Sequence, residues 1–214
     1  MIMPLSQWVG WSDLPLWQQF LRRGANVLVQ MLPGMAVALA VFLLLLPWRK
    51  NHLWKNGLVS GRMREIALAL FWLYCGGLAA LLLMPDWYDF ELILFPVPVQ
   101  APFFRIGSVS LDLFQSWEDP LVFLGNLLVL IPFGLFAALL WRGSTWRRAL
   151  VLGLVVSLFV ECWQLLVGRA FDIDDLLLNT IGAMLGYGLW RLLRRACPGV
   201  TKKFHCRRAV VEPK

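Results

Sequence analysis

Residues 168–188 read GRAFDIDDLLLNTIGAMLGYG, and the reading of this stretch decides the fold. Four ionised groups, Arg169, Asp172, Asp174 and Asp175, run straight into an apolar segment that still carries Asn179. Asp175, Asn179, Gly182 and Gly186 follow i, i+4, i+7, i+11 and so share one face of a helix. Gly182 and Gly186 form a small-xxx-small pair, the pattern that lets a second helix approach closely in lipid. The face that packs on a neighbour therefore also presents Asp175 and Asn179 to it.

Composition extends this reading to the whole chain. Of 214 residues, 59% are hydrophobic and only 15% charged, with a mean hydropathy of +0.67. A soluble domain normally carries about 25% charged residues. Five apolar runs are long enough to cross the hydrocarbon: Gly24–Pro47, Arg64–Met84, Pro120–Trp141, Ala149–Gly168 and Asp175–Leu193. Pro33 with Gly34, and Pro132 with Gly134, are tolerated inside such helices because neighbours re-satisfy the freed backbone groups. The expected fold is all-α, a polytopic integral membrane helix bundle of about five transmembrane helices. Residues 13–23, DLPLWQQFLRR, are expected as an N-terminal interfacial helix.

The chain then divides into an interfacial segment (1–23), two transmembrane helices with a long loop (24–119), a three-helix core (120–193) and a basic tail (194–214). The N-terminus lacks the basic start, apolar core and small-residue cleavage site of a secretory leader, so none is expected.

The net charge is +7 and the pI about 9.7. No aromatic-basic recognition motif accompanies that charge, so nucleic acid is not an expected partner. The Lys and Arg side chains instead gather in three places: the 47–63 connection, the 142–148 connection and the tail. The 85–119 and 169–174 connections hold only Arg105 and Arg169. By the positive-inside rule the first group is cytoplasmic. The expected location is the bacterial cytoplasmic membrane, multi-pass, with the C-terminus inside and, for five spans, the N-terminus outside. Arg22 and Arg23 pull weakly the other way. The 85–119 connection mixes six acids with many apolar side chains and is expected to pack on the outer surface as a partial lid. Trp48, Trp87, Trp117, Trp141, Trp146 and Trp190 fall near span ends, where the indole ring favours the interface.

Helix rise places three polar side chains in one layer. Asn126 lies about 9 Å in from the outer end of its span, Glu161 about 10 Å and Asn179 about 6 Å. Gln164 follows Glu161 at i+3 on the same face. A carboxylate at the centre of a membrane helix costs about 2.5–3.5 kcal/mol on insertion scales. It persists when protonated, paired or solvated by a cavity, which makes Glu161 a functional candidate. Asn126, Gln164 and Asn179 also fit interhelical hydrogen bonding. Asp172, Asp174 and Asp175 also fit the N-terminus of the last span as caps.

Cys75 and Cys162 sit in apolar runs as small packing residues. Cys197, His205 and Cys206 lack the tight paired spacing of a zinc site, and the three aspartates match no standard cation loop, so no metal or cofactor is expected. A hydrolase built on Ser or Cys is disfavoured, because His52 and His205 both lie on the predicted cytoplasmic side, away from the acids.

GNLLVLIPFG, followed by ECWQLLVGRAFDIDDLLLNTIGAMLGYG, closely resembles the VanZ-like membrane proteins. The resemblance is carried in order by Asn126, Pro132, Gly134, Glu161, Gln164, Gly168-Arg169, Asp172, Asp174-Asp175, Asn179, Gly182 and Gly186, across the last three spans. ELILFPVPV departs from the Asn-Leu-Ile-Pro-Phe-like segment that many relatives carry there. The resemblance implies a protein of the cell envelope. Founding members accompany glycopeptide-resistance clusters and lower sensitivity to teicoplanin, so antibiotic resistance is one expectation, although many members lie outside such clusters.

Two functions compete. In the first, an outward cavity between spans three, four and five binds or modifies a lipid-linked or lipid-tailed substrate. Glu161 and Asp175 are then the catalytic candidates. Asn126, Gln164, Arg169, Asp172, Asp174 and Asn179 bind substrate, with Arg169 on an anionic head group and the aspartates on a cationic group or orienting Arg169. The partners are membrane lipids and an envelope lipid-linked precursor or a lipoglycopeptide. In the second, the protein is a non-enzymatic scaffold or partner subunit whose polar cluster only packs the helices. Proton-coupled transport is a weaker third reading for five spans without an internal repeat.

Overall fold

The computed structural model describes residues 15–85, 102–114 and 119–208. Of the 85–119 connection expected as a lid, residues 86–101 and 115–118 lie outside the described residues, as do residues 1–14 at the start of the chain. Among the described residues, five helical stretches are long and apolar enough to cross a membrane.

Helix α1 runs unbroken from Leu16 to Lys55. Residues 16–23, expected as a separate interfacial helix, are instead its first turns. A single glycine, Gly24, stands at the expected joint, and one Gly costs only about 1 kcal/mol relative to Ala, too little to end a helix of good formers. After a two-residue strand, β1 (Leu58–Val59), helix α2 (Arg62–Leu82) returns antiparallel along α1. The two helices meet at Gly34 and Gly76, where a Cβ on either would collide with the other's backbone.

The third span is two helices rather than one, α3 (Pro120–Val129) and α4 (Ile131–Leu140), broken at Leu130. Pro132 has no amide to donate, and the interrupted ladder frees carbonyls at the break. The Tyr74 hydroxyl of α2 donates to the Val129 carbonyl, so a side chain supplies the donor that lipid cannot. Asp119 caps α3 by accepting from the Leu121 amide at 2.9 Å.

Helix α5 (Trp146–Leu166) and helix α6 (Ile173–Ala196) complete the bundle. α6 is the central element, packed by α3, α4 and α5. Its buried face carries Asn179, Gly182, Ala183, Gly186, Tyr187 and Trp190, the face read from the sequence. A Cβ on Gly182 would strike the Leu127 carbonyl, and one on Gly186 the Ile131 carbonyl. Gly134 of α4 and Gly153 of α5 make the same close approach to Ala183.

All the short connections rich in Lys and Arg lie at one end of the bundle. Here the chain after α6 folds back through a short helix, α7 (Pro198–Thr201), and a 3-10 turn (Lys202–Phe204). Strand β4 (Arg207–Arg208) then pairs antiparallel with β1, with Leu58 opposite Arg208 and Val59 opposite Arg207. At the opposite end, residues 102–114 lie across the α5–α6 junction as a strap. Strand β2 (Val109–Ser110) of the strap pairs in parallel with β3 (Phe171–Asp172).

The glycine face can be tested by contrast within one helix. Gly186→Ala is expected to destabilise the purified protein by about 1–3 kcal/mol through overpacking. Gly188→Ala, which meets nothing within 4 Å, is expected to be neutral or to stabilise by up to about 1 kcal/mol through helix propensity. Melting in detergent reads both, and equal shifts would show that the close approach is unimportant.

Candidate functional site

The chemistry-bearing residues gather at the end opposite the basic one, where α5 turns into α6. α5 closes with Gly168 at φ +87°, a left-handed position that glycine adopts without strain. The Arg169 amide then donates back to the Gln164 carbonyl at 2.9 Å. The last carbonyls of α5 are met by the strap. The Arg105 amide donates to Leu166 at 2.9 Å and the Gly107 amide to Leu165 at 2.8 Å. The Phe171 amide donates to the Ser108 carbonyl at 2.8 Å, which continues the seam into β2 and β3.

Glu161 stands beneath this seam. It is 1% exposed, and its Oε2 accepts the Asp172 amide at 3.0 Å. Asp172 in turn is the N-cap of α6, its Oδ1 accepting from the Asp174 amide at 2.8 Å. Asp174 is also buried, and its Oδ1 accepts the Phe114 amide of the strap at 2.9 Å. Phe114 is held at φ 73°, a costly conformation for a bulky residue, and the Asp174 contact fixes it there. Asn126 of α3 donates through Nδ2 to the Asp175 carboxylate. The charges of Asp175, Asp172 and Arg169 all lie close enough to act on Glu161.

Residues foreseen on three helices and one loop thus form one connected layer: Asn126 with Asp175, Glu161 with Asp172, Asp172 with Asp174. Gln164 faces elsewhere. Its Nε2 donates to the Leu82 carbonyl at 3.3 Å, and the Trp163 indole donates to Leu83 at 2.7 Å. Together they close the C-terminus of α2, whose final carbonyls have no helical partner. Asn179 is buried at 4% exposure, and its Oδ1 has no hydrogen-bond partner among the described residues. Ser157, fully buried, donates to the Leu176 carbonyl at 3.3 Å and ties α5 to α6 just below Glu161.

The space in this region lies elsewhere than expected. A cavity of about 520 Å³ opens between α1, α2 and α3. The space among the last three spans, about 500 Å³ lined by Gly134, Ala138, Leu152, Ala183 and Tyr187, lies toward the basic end and meets none of the expected site residues. The wall of the cavity between α1, α2 and α3 carries Asn126 and Arg169 from the expected set but not Glu161. Gln30 and Tyr74 complete its polar lining, among apolar side chains such as Met31, Leu78 and Pro132. Tyr74 and Ser157 were missed in the sequence, where the only signal was a hydroxyl inside an apolar run. Among the described residues, no group of three His, Cys, Asp or Glu side chains could hold a metal ion.

The fold and this layer define a small polytopic membrane protein with a buried carboxylate network at one end and an apolar cleft beside it. Residues 71–194 match the VanZ/LLP1 family, from the middle of α2 through nearly all of α6. That is more than half of the chain, and the protein belongs to this family. No curated protein and no solved structure matches it.

The Asn126–Asp175 contact is open to a direct test. Asn126→Leu removes the donor that meets the Asp175 carboxylate, and a loss of about 1–3 kcal/mol is expected. It would appear as a drop of several degrees in the melting temperature of the detergent-purified protein. An unchanged melting temperature would mean that the contact contributes nothing to the fold.

Proposed function

We propose that this protein acts at the cell envelope by binding a lipid-tailed or lipid-linked anionic molecule in the cleft between α1, α2 and α3. The carrying observation is the cavity of about 520 Å³, with a largely apolar wall and Arg169, Asn126, Tyr74 and Gln30 set into it. A guanidinium recognises phosphate or carboxylate through paired donors, and the apolar wall suits an acyl or prenyl chain. Acid–base chemistry on such a ligand would rest on Glu161 and Asp175, which are linked to the cleft through Asn126 and Arg169. The family supports an envelope role, and lowered teicoplanin sensitivity, teicoplanin being itself lipid-tailed, is the phenotype we propose to test.

A second reading has its own support. Gln164, Asp172 and Asp174 each make hydrogen bonds that close a helix end or hold the strap. In that reading the layer is a lock and the protein a membrane scaffold. Both readings are separated by expressing the wild type, Arg169→Gln and Glu161→Gln in a Gram-positive host, with membrane abundance measured by blot and protection compared at equal abundance. The binding reading expects protection from teicoplanin by the wild type and its loss in both variants. Full protection by Arg169→Gln would overturn the cleft as the binding site. Loss of abundance in both variants, relieved only by restoring the charge, would favour the scaffold.

We further propose that the basic end faces the cytoplasm, in line with the positive-inside rule. In a background with the four native cysteines replaced by serine, Ile106→Cys, 80% exposed on the strap, is expected to label only from outside. Lys55→Cys, exposed at the end of α1, is expected to label only from inside. Labelling of both from one side would refute the orientation.

A further inference from the structure

The basic end holds a second cavity, of about 730 Å³, walled by Arg142, Trp190, Arg194, Lys202, His205 and Arg207 together with the backbone of the turn at Gly143 and the short helix α7. The returning tail builds it. Arg142 donates through Nη2 to the Cys206 carbonyl at 2.9 Å, and β4 is held on β1. Phe204 packs into the cores on either side, and Thr201 is buried.

Three observations, made among the described residues, point to a missing complement. The wall carries four permanent cations and a histidine and, among the described residues, no acidic side chain. Trp190 is 5% exposed, and its indole N–H has no hydrogen-bond partner among the described residues. The Arg194 guanidinium sits over its ring, 5.3 Å from the centroid. His205 Nδ1 is also buried without a hydrogen-bond partner among the described residues. Burial, and the charges of Arg142, Arg64 and Arg194, hold His205 below its ordinary pKa. A buried donor without an acceptor, as at the Trp190 indole, costs free energy, and so do like charges held together. An anion relieves both.

We infer that this cavity is a binding site for a phosphate group, supplied by an anionic lipid head group or by phosphate free in solution. Arg142, Arg194, Lys202 and Arg207 surround the anion and the Trp190 indole N–H donates to it. The site sits at the end of α6, beside Trp141 and Trp146, at the level where head groups lie and where basic pockets between helices meet acidic lipids. It is at the opposite end of the bundle from the cleft and does not depend on it.

The test uses the full-length protein in a neutral detergent, with binding read by native mass spectrometry and by melting temperature. The probes are phosphatidylglycerol, phosphatidylcholine and inorganic phosphate. Phosphatidylglycerol is expected to bind and raise the melting temperature, and phosphatidylcholine to do neither. Lys202→Gln and Trp190→Phe, which leave the Arg142–Cys206 contact intact, are each expected to weaken binding about tenfold, the loss of one charge-assisted or buried hydrogen bond. Arg147→Gln, a charge at the same end but outside the wall, is expected to bind as the wild type. If inorganic phosphate binds with the same dependence on Lys202 and Trp190, the ligand is phosphate itself; if only the lipid does, it is the head group. The inference is overturned if neither probe binds, or if the lipid binds equally to Lys202→Gln, Trp190→Phe and Arg147→Gln.

Discussion

The hydrogen bond from the Asp172 amide to the buried Glu161 joins the body of α5 to the N-cap of α6. Its acceptor is buried and its donor is the N-cap of the next helix, so neither can move without breaking the turn between them. Around it, several backbone groups freed by helix ends find protein partners. The strap meets α5, Trp163 and Gln164 meet α2, and Tyr74 meets the break between α3 and α4. In lipid this satisfaction is obligatory, since an unpaired backbone group costs several kcal/mol. The polar residues of the chain are therefore concentrated where helices end or break.

That placement blurs the border between structure and function. Asp172 caps a helix and also supplies the amide that meets Glu161. Asn126 anchors Asp175 and also lines the cleft. A substitution at either position disturbs both the packing and the electrostatics of the layer. Arg169 likewise lines the cleft while its charge acts on Glu161.

The five spans were legible because lipid selects a crude property, apolar length, that survives in any window of the sequence. The glycine face of α6 was legible because small residues at i and i+4 have one reason to be there. Pro132 announced the break in the third span but not that Tyr74 would repair it, since that contact joins residues 55 apart. The strap was invisible for a related reason: β2 and β3 are two residues long and pair across the chain, so no periodicity marks them. The site residues were identified by type and depth, and their partners were not. The cleft was expected among the last three spans because polar residues cluster there. The cavity that meets Asn126 and Arg169 opens instead toward α1 and α2, and the space among the last three spans lies at the basic end.

The pairing of β1 with β4 sets an order of assembly. Leu58 leaves the ribosome early, and its partner Arg208 emerges only after the last span. At about 5–20 residues per second, roughly 8–30 s separate the two. Once α2 has followed, the α1–α2 hairpin waits with its basic connection uncovered while the three later spans insert beside it. The returning tail closes the bundle last, so a chain cut between the end of α6 and β4 keeps its five spans but never acquires the sealed basic face.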